Sequence, residues 1–265
     1  CGSRSLIRIG GGNLKSLVAM LFLALAAEMT LRGLLSPVRT EVLGALAVQF
    51  DQGQDLSWLV AALLGIGKRS VQPWMAAGIA LALLAFVLKD RDFRADHERQ
   101  FAGVVIGLTI VGGWYVTGHL GFIAEDPATL QEAYIGTRSA RPESFTFIGP
   151  AANTLELLQF WTDKSARVTF GVAVVLGTLV GSFAYAMIKR RFHWESFASV
   201  SDTRNHVIGG VLMGFGGVTA MGCTIGQGIT GVSTLALGSI LVFFSIIAGA
   251  ALTMKIQLRR LLKTG

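Results

Sequence analysis

Near the C-terminal end of a 265-residue chain, Cys223 stands in the uncharged run Gly222-Cys223-Thr224-Ile225-Gly226-Gln227-Gly228. A thiol is a weak S–H donor with a soft, polarisable surface, and Thr224 and Gln227 add hard donors beside it. Glycines at 222, 226 and 228 let backbone N–H groups come close to a ligand. Such a set can hold a small anion that carries one soft atom and several hard oxygens, and it needs neither proton transfer nor a covalent step. A second thiol, Cys1, is followed by Gly2 and Ser3. No His lies near either cysteine at metal-ligand spacing, so neither a metal nor a cofactor is expected. Against this stands the plainer reading of Cys223 as a buried cysteine that behaves as a small hydrophobe.

The element that must position Cys223 is the stretch from Gly209 to Gly231, GGVLMGFGGVTAMGCTIGQGITG. In a water-soluble core each glycine would give up packing and add backbone entropy to be lost on folding. In lipid, small residues let helices approach closely, and a broken helix survives where its freed backbone groups are enclosed by protein or line a cavity. Gly210 and Gly214 form a small-xxx-small face, continued by Gly217 and Met221. The pattern predicts a helix that stops at about Gly222, a bend, and a second helix from about Val232. The thiol then sits at a helix break inside the membrane, where half-helix N-termini favour an anion.

The longer run GGVLMGFGGVTAMGCTIGQGITGVSTLALGS, residues 209–239, resembles the C-terminal signature of the YeeE/YedE family of sulfur-transport membrane proteins, whose characterised members take up thiosulfate. Cys1-Gly2-Ser3, followed by Gly10-Gly11-Gly12-Asn13-Leu14-Lys15, resembles the same family's earlier cysteine loop and the helix after it. The resemblance implies a transport function rather than catalysis. It also implies that Cys1 and Cys223, with Gly222, Thr224, Gly226, Gln227 and Gly228, contact thiosulfate or a related sulfur anion. The family pattern places further membrane segments and another cysteine ahead of Cys1. Residues 1–265 are therefore expected to form one transmembrane domain lacking the family's N-terminal segments.

Composition read alone agrees. With 52% hydrophobic and 15% charged residues and a mean hydropathy of +0.59, the chain is not an ordinary soluble domain. An all-α, polytopic integral membrane protein is expected, with glycine-rich broken or re-entrant helices, and the lipid bilayer is its main partner. The net charge of +7 does not signal nucleic acid here, because Lys and Arg cluster in short loops between apolar runs.

Along the chain, spans are expected at Leu14–Leu34, Trp74–Leu88, Phe101–Ile123, Arg167–Ile188 and Ser233–Met254, with shorter apolar pieces at Leu56–Gly67 and Pro150–Trp161. Gln72-Pro73 is expected to break the chain before Trp74. Glu28 and Arg32, spaced i,i+4, read as an ion pair near a helix end. Residues 89–99, 189–195 and 255–263 concentrate Lys and Arg; two spans separate the first from the second, and a hairpin made of the Gly209–Gly231 stretch and Ser233–Met254 returns the third to the same side. The positive-inside rule makes that side the cytoplasm of a bacterial inner membrane, with the C-terminus cytoplasmic. Lys68-Arg69 is the exception to this count. Cys1 and Cys223 each precede a glycine and then an uninterrupted apolar span, which suggests an internal repeat of the kind transporters use to build a site near the midplane.

Two classes of function stay open on the residues. One is a transporter of thiosulfate or a related sulfur or selenium anion through a cysteine-lined path. The other is a membrane sulfur relay, an enzyme in which a persulfidated cysteine hands sulfur to a small cytoplasmic carrier protein. The second needs an activated thiolate, and no Lys, Arg or His flanks Cys223 locally, so the first is preferred.

Overall fold

The structure, a computed structural model, describes residues 1–46, 54–65, 67–126, 130–163 and 166–264; Pro127 and the side chains of Leu46, Lys68, Arg260, Leu261, Lys263 and Thr264 lie outside the described residues. Among the described residues five helices are long and apolar enough to cross a membrane: Leu14–Leu31, Arg69–Lys89, His97–Leu120, Phe170–Ile188 and Leu237–Arg259. These coincide with the five spans expected from apolar composition, while the helix over Val200–Thr219, which carries much of the stretch expected to pair with Ser233–Met254 as a hairpin, is not among them. One boundary moves: the helix of the second span begins at Lys68 and runs through Pro73, where a break was expected. Pro73 lies in the second turn, where the helix forgoes one i→i−4 bond to the Arg69 carbonyl and otherwise continues.

In chain order the helices are α1 (Gly2–Gly10), α2 (Leu14–Leu31), α3 (Leu56–Leu64), α4 (Lys68–Lys89), α5 (Arg91–Ala95), α6 (His97–Tyr115), α7 (Ile148–Gln159), α8 (Phe170–Ile188), α9 (Val200–Thr219) and α10 (Leu237–Thr264). A short helix followed by one of spanning length recurs: α1 then α2, α3 then α4, α7 then α8. Extended structure is slight, with Phe122–Ile123 pairing antiparallel to Ala133–Tyr134 in the loop between α6 and α7.

The chain forms two compact units, one of residues 1–47 and 110–226, the other of residues 48–109 and 227–265. In the first, α9 lies along α2 at very close range, and the sequence shows why. A Cβ at Gly210 would stand 2.5 Å from the Ala19 carbonyl oxygen, and one at Gly214 would stand 2.8 Å from the Ala26 Cβ. Backbones this near exclude lipid and pack by dispersion, the means by which helices associate where no hydrophobic effect drives them. Leu6 of α1, Leu23 and Ala27 of α2, Phe147, Ile148 and Ala152 at and in α7, Val175 of α8 and Val218 of α9 close the core of this unit.

Backbone bridges tie the breaks between short and long helices. In the first unit the loop after α8 meets the α1–α2 break: the Glu195 N–H donates to the Gly12 carbonyl at 3.2 Å and the Leu14 N–H to the Glu195 carbonyl at 2.9 Å. In the second unit the Leu56 N–H donates to the Leu235 carbonyl at 2.9 Å and the Leu237 N–H to the Gln54 carbonyl at 2.9 Å. Each bridge satisfies backbone groups that a helix end leaves unpaired. Leu81, Leu84 and Phe86 of α4 and Leu241 and Phe244 of α10 are exposed, an arrangement costly in water and favourable against acyl chains.

Candidate functional site

The break around Cys223 is built by the end of α9. Met221 adopts a left-handed conformation with φ 56°, and the Gly222 N–H returns to the Gly217 carbonyl at 2.8 Å, so the chain leaves the helix axis and reverses. A new helix then starts directly at Thr224 and runs over residues 224–233, with Gly226–Gly231 in wider π-type turns. It ends at a second break, residues 234–236, where Leu235 is again left-handed with φ 57°. The single bend expected between Gly222 and Val232 is thus two bends with a short helix between them. Glycines that read as loop are wound, and the helical turns pair backbone groups that a loop would leave without partners.

Cys223 is 4% exposed and packs with Leu6, Leu23, Phe147, Ile148 and Val218. Its Sγ accepts the Gly226 N–H at 3.3 Å, so the sulfur takes the place a Ser or Asp oxygen usually fills at a helix start. Gly222 is buried beside it and Thr224 is exposed. Gly226 is needed for close approach: a Cβ there would stand 2.5 Å from Thr146 Oγ1. That hydroxyl is buried and has no hydrogen-bond partner among the described residues. Thr146 is a site residue that sequence reading missed, since it lies in the polar loop before α7 with no motif around it. Gln227 and Gly228 belong to the second unit. There Gln227 Oε1 accepts from Ser239 Oγ at 2.5 Å, and Gly228 faces the Phe243 ring, which a Cβ would approach to 2.8 Å.

Cys1 stands at the start of α1, a nine-residue helix where a loop was expected. Its Sγ is 3.2 Å from Ser3 Oγ and its nitrogen is 3.3 Å from Met213 Sδ of α9. Below Cys1 opens a cavity of about 270 Å³ lined by Ser5, Arg8, Ser16, Asn205, His206 and Met213. Its walls are fixed by a polar chain: His206 Nδ1 lies 3.1 Å from Asp202 Oδ1, and Lys15 Nζ lies 3.2 Å from Asp202 and 3.4 Å from Glu195. Asn13 caps α2 by accepting the Ser16 N–H at 2.8 Å and donates from its amide to Glu195. Desolvation pushes the Glu195 carboxyl up, but hydrogen bonds from Asn13 and Lys15 outweigh it and hold the group below the ordinary glutamate value. The cavity therefore offers one cation, several hydroxyl and amide donors, and soft sulfur at its rim.

The expected Glu28–Arg32 pair does not form. Arg32 Nη1 turns to Glu156 of α7, and Glu28 Oε2 is buried with no partner among the described residues. The i,i+4 geometry was available, and a tertiary partner took the guanidinium.

Known proteins resemble this chain. The profile of the family described as Sulphur transport matches residues 1–252. The thiosulfate transporter TsuA of Escherichia coli strain K12 is 40% identical over 83 residues, which is 31% of this chain and 23% of that protein. The thiosulfate transporter TsuA of Spirochaeta thermophila is 28% identical over 257 residues, 94% of this chain and 69% of that protein.

Proposed function

We propose that this chain, which belongs to the sulphur transport family, is the conducting part of a multi-pass membrane protein that passes thiosulfate along Cys1 and Cys223 into the cytoplasm. The observation that carries the reading is the Cys223 break. A buried sulfur caps a helix N-terminus, a buried hydroxyl without a partner among the described residues, that of Thr146, lies beside it, and Cys1 with its polar cavity belongs to the same unit. Thiosulfate matches this set. Its terminal sulfur is soft and accepts S–H donors, and its oxygens are hard and accept from Thr146, Thr224 and backbone N–H groups. Each contact is weak, as conduction through successive sites requires. The names of the TsuA relatives support the choice of anion.

The test is uptake of radiolabelled thiosulfate into vesicles holding the full-length protein. A small maleimide at either cysteine is expected to stop uptake, and thiosulfate is expected to protect both from the reagent. Protection of one cysteine alone would remove the shared path. Label that stays on the protein after denaturation would mark a persulfide relay in its place.

Orientation follows from the charge count and is also part of the proposal. A cysteine placed at Lys189 is expected to resist an impermeant thiol reagent added outside intact cells, while one at Ser139 reacts. Labelling at Lys189 would invert the assignment.

A further inference from the structure

The first unit holds a second polar cavity, of about 450 Å³, lined by Arg32, Arg138, Arg167, Glu156, Asp163 and Thr169 among others. It adjoins the start of α8, whereas Lys189–Arg191 follow its end. The 19 residues of α8 separate the two by roughly 28 Å at about 1.5 Å per residue. The cavity thus opens at the membrane face opposite that basic cluster.

Three guanidinium groups line it against two carboxylates. Two of them converge on one acid: Arg32 Nη1 meets Glu156 Oε1, and Arg138 Nη2 lies 2.9 Å from Oε1 and 2.8 Å from Oε2. The Thr169 hydroxyl is buried without a partner among the described residues. A clamp joining α2, the 138 loop and α7 accounts for Glu156 and the two guanidiniums that meet it. The third guanidinium, that of Arg167, the unused hydroxyl and the volume are left over from that account. Guanidinium forks match the oxygens of a tetrahedral oxyanion, and they hold it by charge and geometry together.

We infer that this cavity is the capture site where a tetrahedral sulfur oxyanion first binds, and that Glu156 is its built-in competitor. In the empty state the Glu156 carboxylate meets Nη1 of Arg32 and Nη2 of Arg138, so neither of these two guanidiniums is stranded at the membrane face. An arriving dianion displaces the carboxylate from part of that donor set. The acid remains beside it and weakens the hold, which lets the anion move on. The inference rests on the transport reading, but it concerns affinity at the mouth and not the thiols.

Opposite signs test it. In proteoliposomes of the full-length protein, Glu156→Gln is expected to lower the KM for thiosulfate and Arg138→Gln to raise it. Each change should be about threefold or more, the scale of a charge-assisted hydrogen bond at a partly exposed site. Sulfate shares the oxygens and lacks the soft sulfur, so its inhibition constant should move with the same two variants. Arg138→Lys, which keeps the charge and loses the fork, should fall between wild type and Arg138→Gln. If both Gln variants shift KM in one direction, or neither shifts it, the cluster is a structural clamp and the inference fails. If the wild-type protein moves no thiosulfate, the transport reading fails separately. Stabilisation of the purified protein by sulfate, strengthened by Glu156→Gln and weakened by Arg138→Gln, then still decides the capture site.

Discussion

Cys223→Ala is expected to abolish sulfur-anion uptake while the protein still inserts and accumulates. The substitution removes a single buried sulfur and the cap it provides to the Gly226 N–H. Losing a helix N-cap costs about 1 kcal/mol, which most folded proteins survive. Loss of uptake therefore cannot be put down to loss of the fold, and the check is the initial uptake rate divided by the amount of inserted protein. Cys223→Ser sharpens the comparison, since a hydroxyl caps the helix at least as well and still donates, but presents a hard atom to the anion. Partial activity in the Ser variant separates hydrogen bonding from covalent sulfur transfer. A rate near wild type in the Ala variant would return Cys223 to the role of a small buried hydrophobe.

The second large effect is structural. Gly214→Val is expected to destroy most of the folded protein, because the new Cβ would meet Leu23 O, Ala26 Cβ at 2.8 Å and Ala27 N at 2.9 Å. Two further methyl groups deepen the clash. Backbone atoms cannot swing aside as side chains do, so α9 must leave α2. Overpacking of this kind costs about 1–3 kcal/mol where side chains can adjust, and more is expected where the obstacle is main chain. A Cβ added at Gly216, two residues away on the same helix, would meet nothing within 4 Å, so Gly216→Val serves as the matched control. Thermal melting of the detergent-solubilised proteins decides the matter: if the two valine variants melt alike, the close seam between α2 and α9 does not hold the unit together.

The spans were legible because lipid imposes a length and an apolar composition on any segment that crosses it, and α2, α8 and the apolar part of α10 satisfy both without ambiguity. The closeness of α2 and α9 was half legible: Gly210 and Gly214 announced a small-residue face but not its partner. What escaped was decided by contacts between residues distant in sequence. Arg32 had a good local acid in Glu28, yet its partner is 124 residues away, and nothing in an i,i+4 rule weighs such a rival. The helix over residues 224–233 was hidden by its own glycines, whose low helix propensity governs in water and yields at membrane depth to the need to pair every N–H and C=O. Thr146 was invisible for a simpler reason: a threonine in a polar loop becomes notable only when folding buries its hydroxyl beside Gly226.

The sulfur cap at the Cys223 break also bears on which ions such a thiol refuses. Soft metal cations such as zinc or monovalent copper bind cysteine through the lone pairs of a thiolate, and they need several such ligands arranged around them. Here Sγ already accepts the Gly226 N–H at 3.3 Å, so one of its lone pairs is engaged. The positive end of the short helix adds a charge that repels cations. Among the described residues no trio of His, Cys, Asp or Glu gathers that could complete a metal's coordination. A soft cation at Cys223 would thus find no set of three such ligands among the described residues, whereas an anion would meet the positive end of a helix.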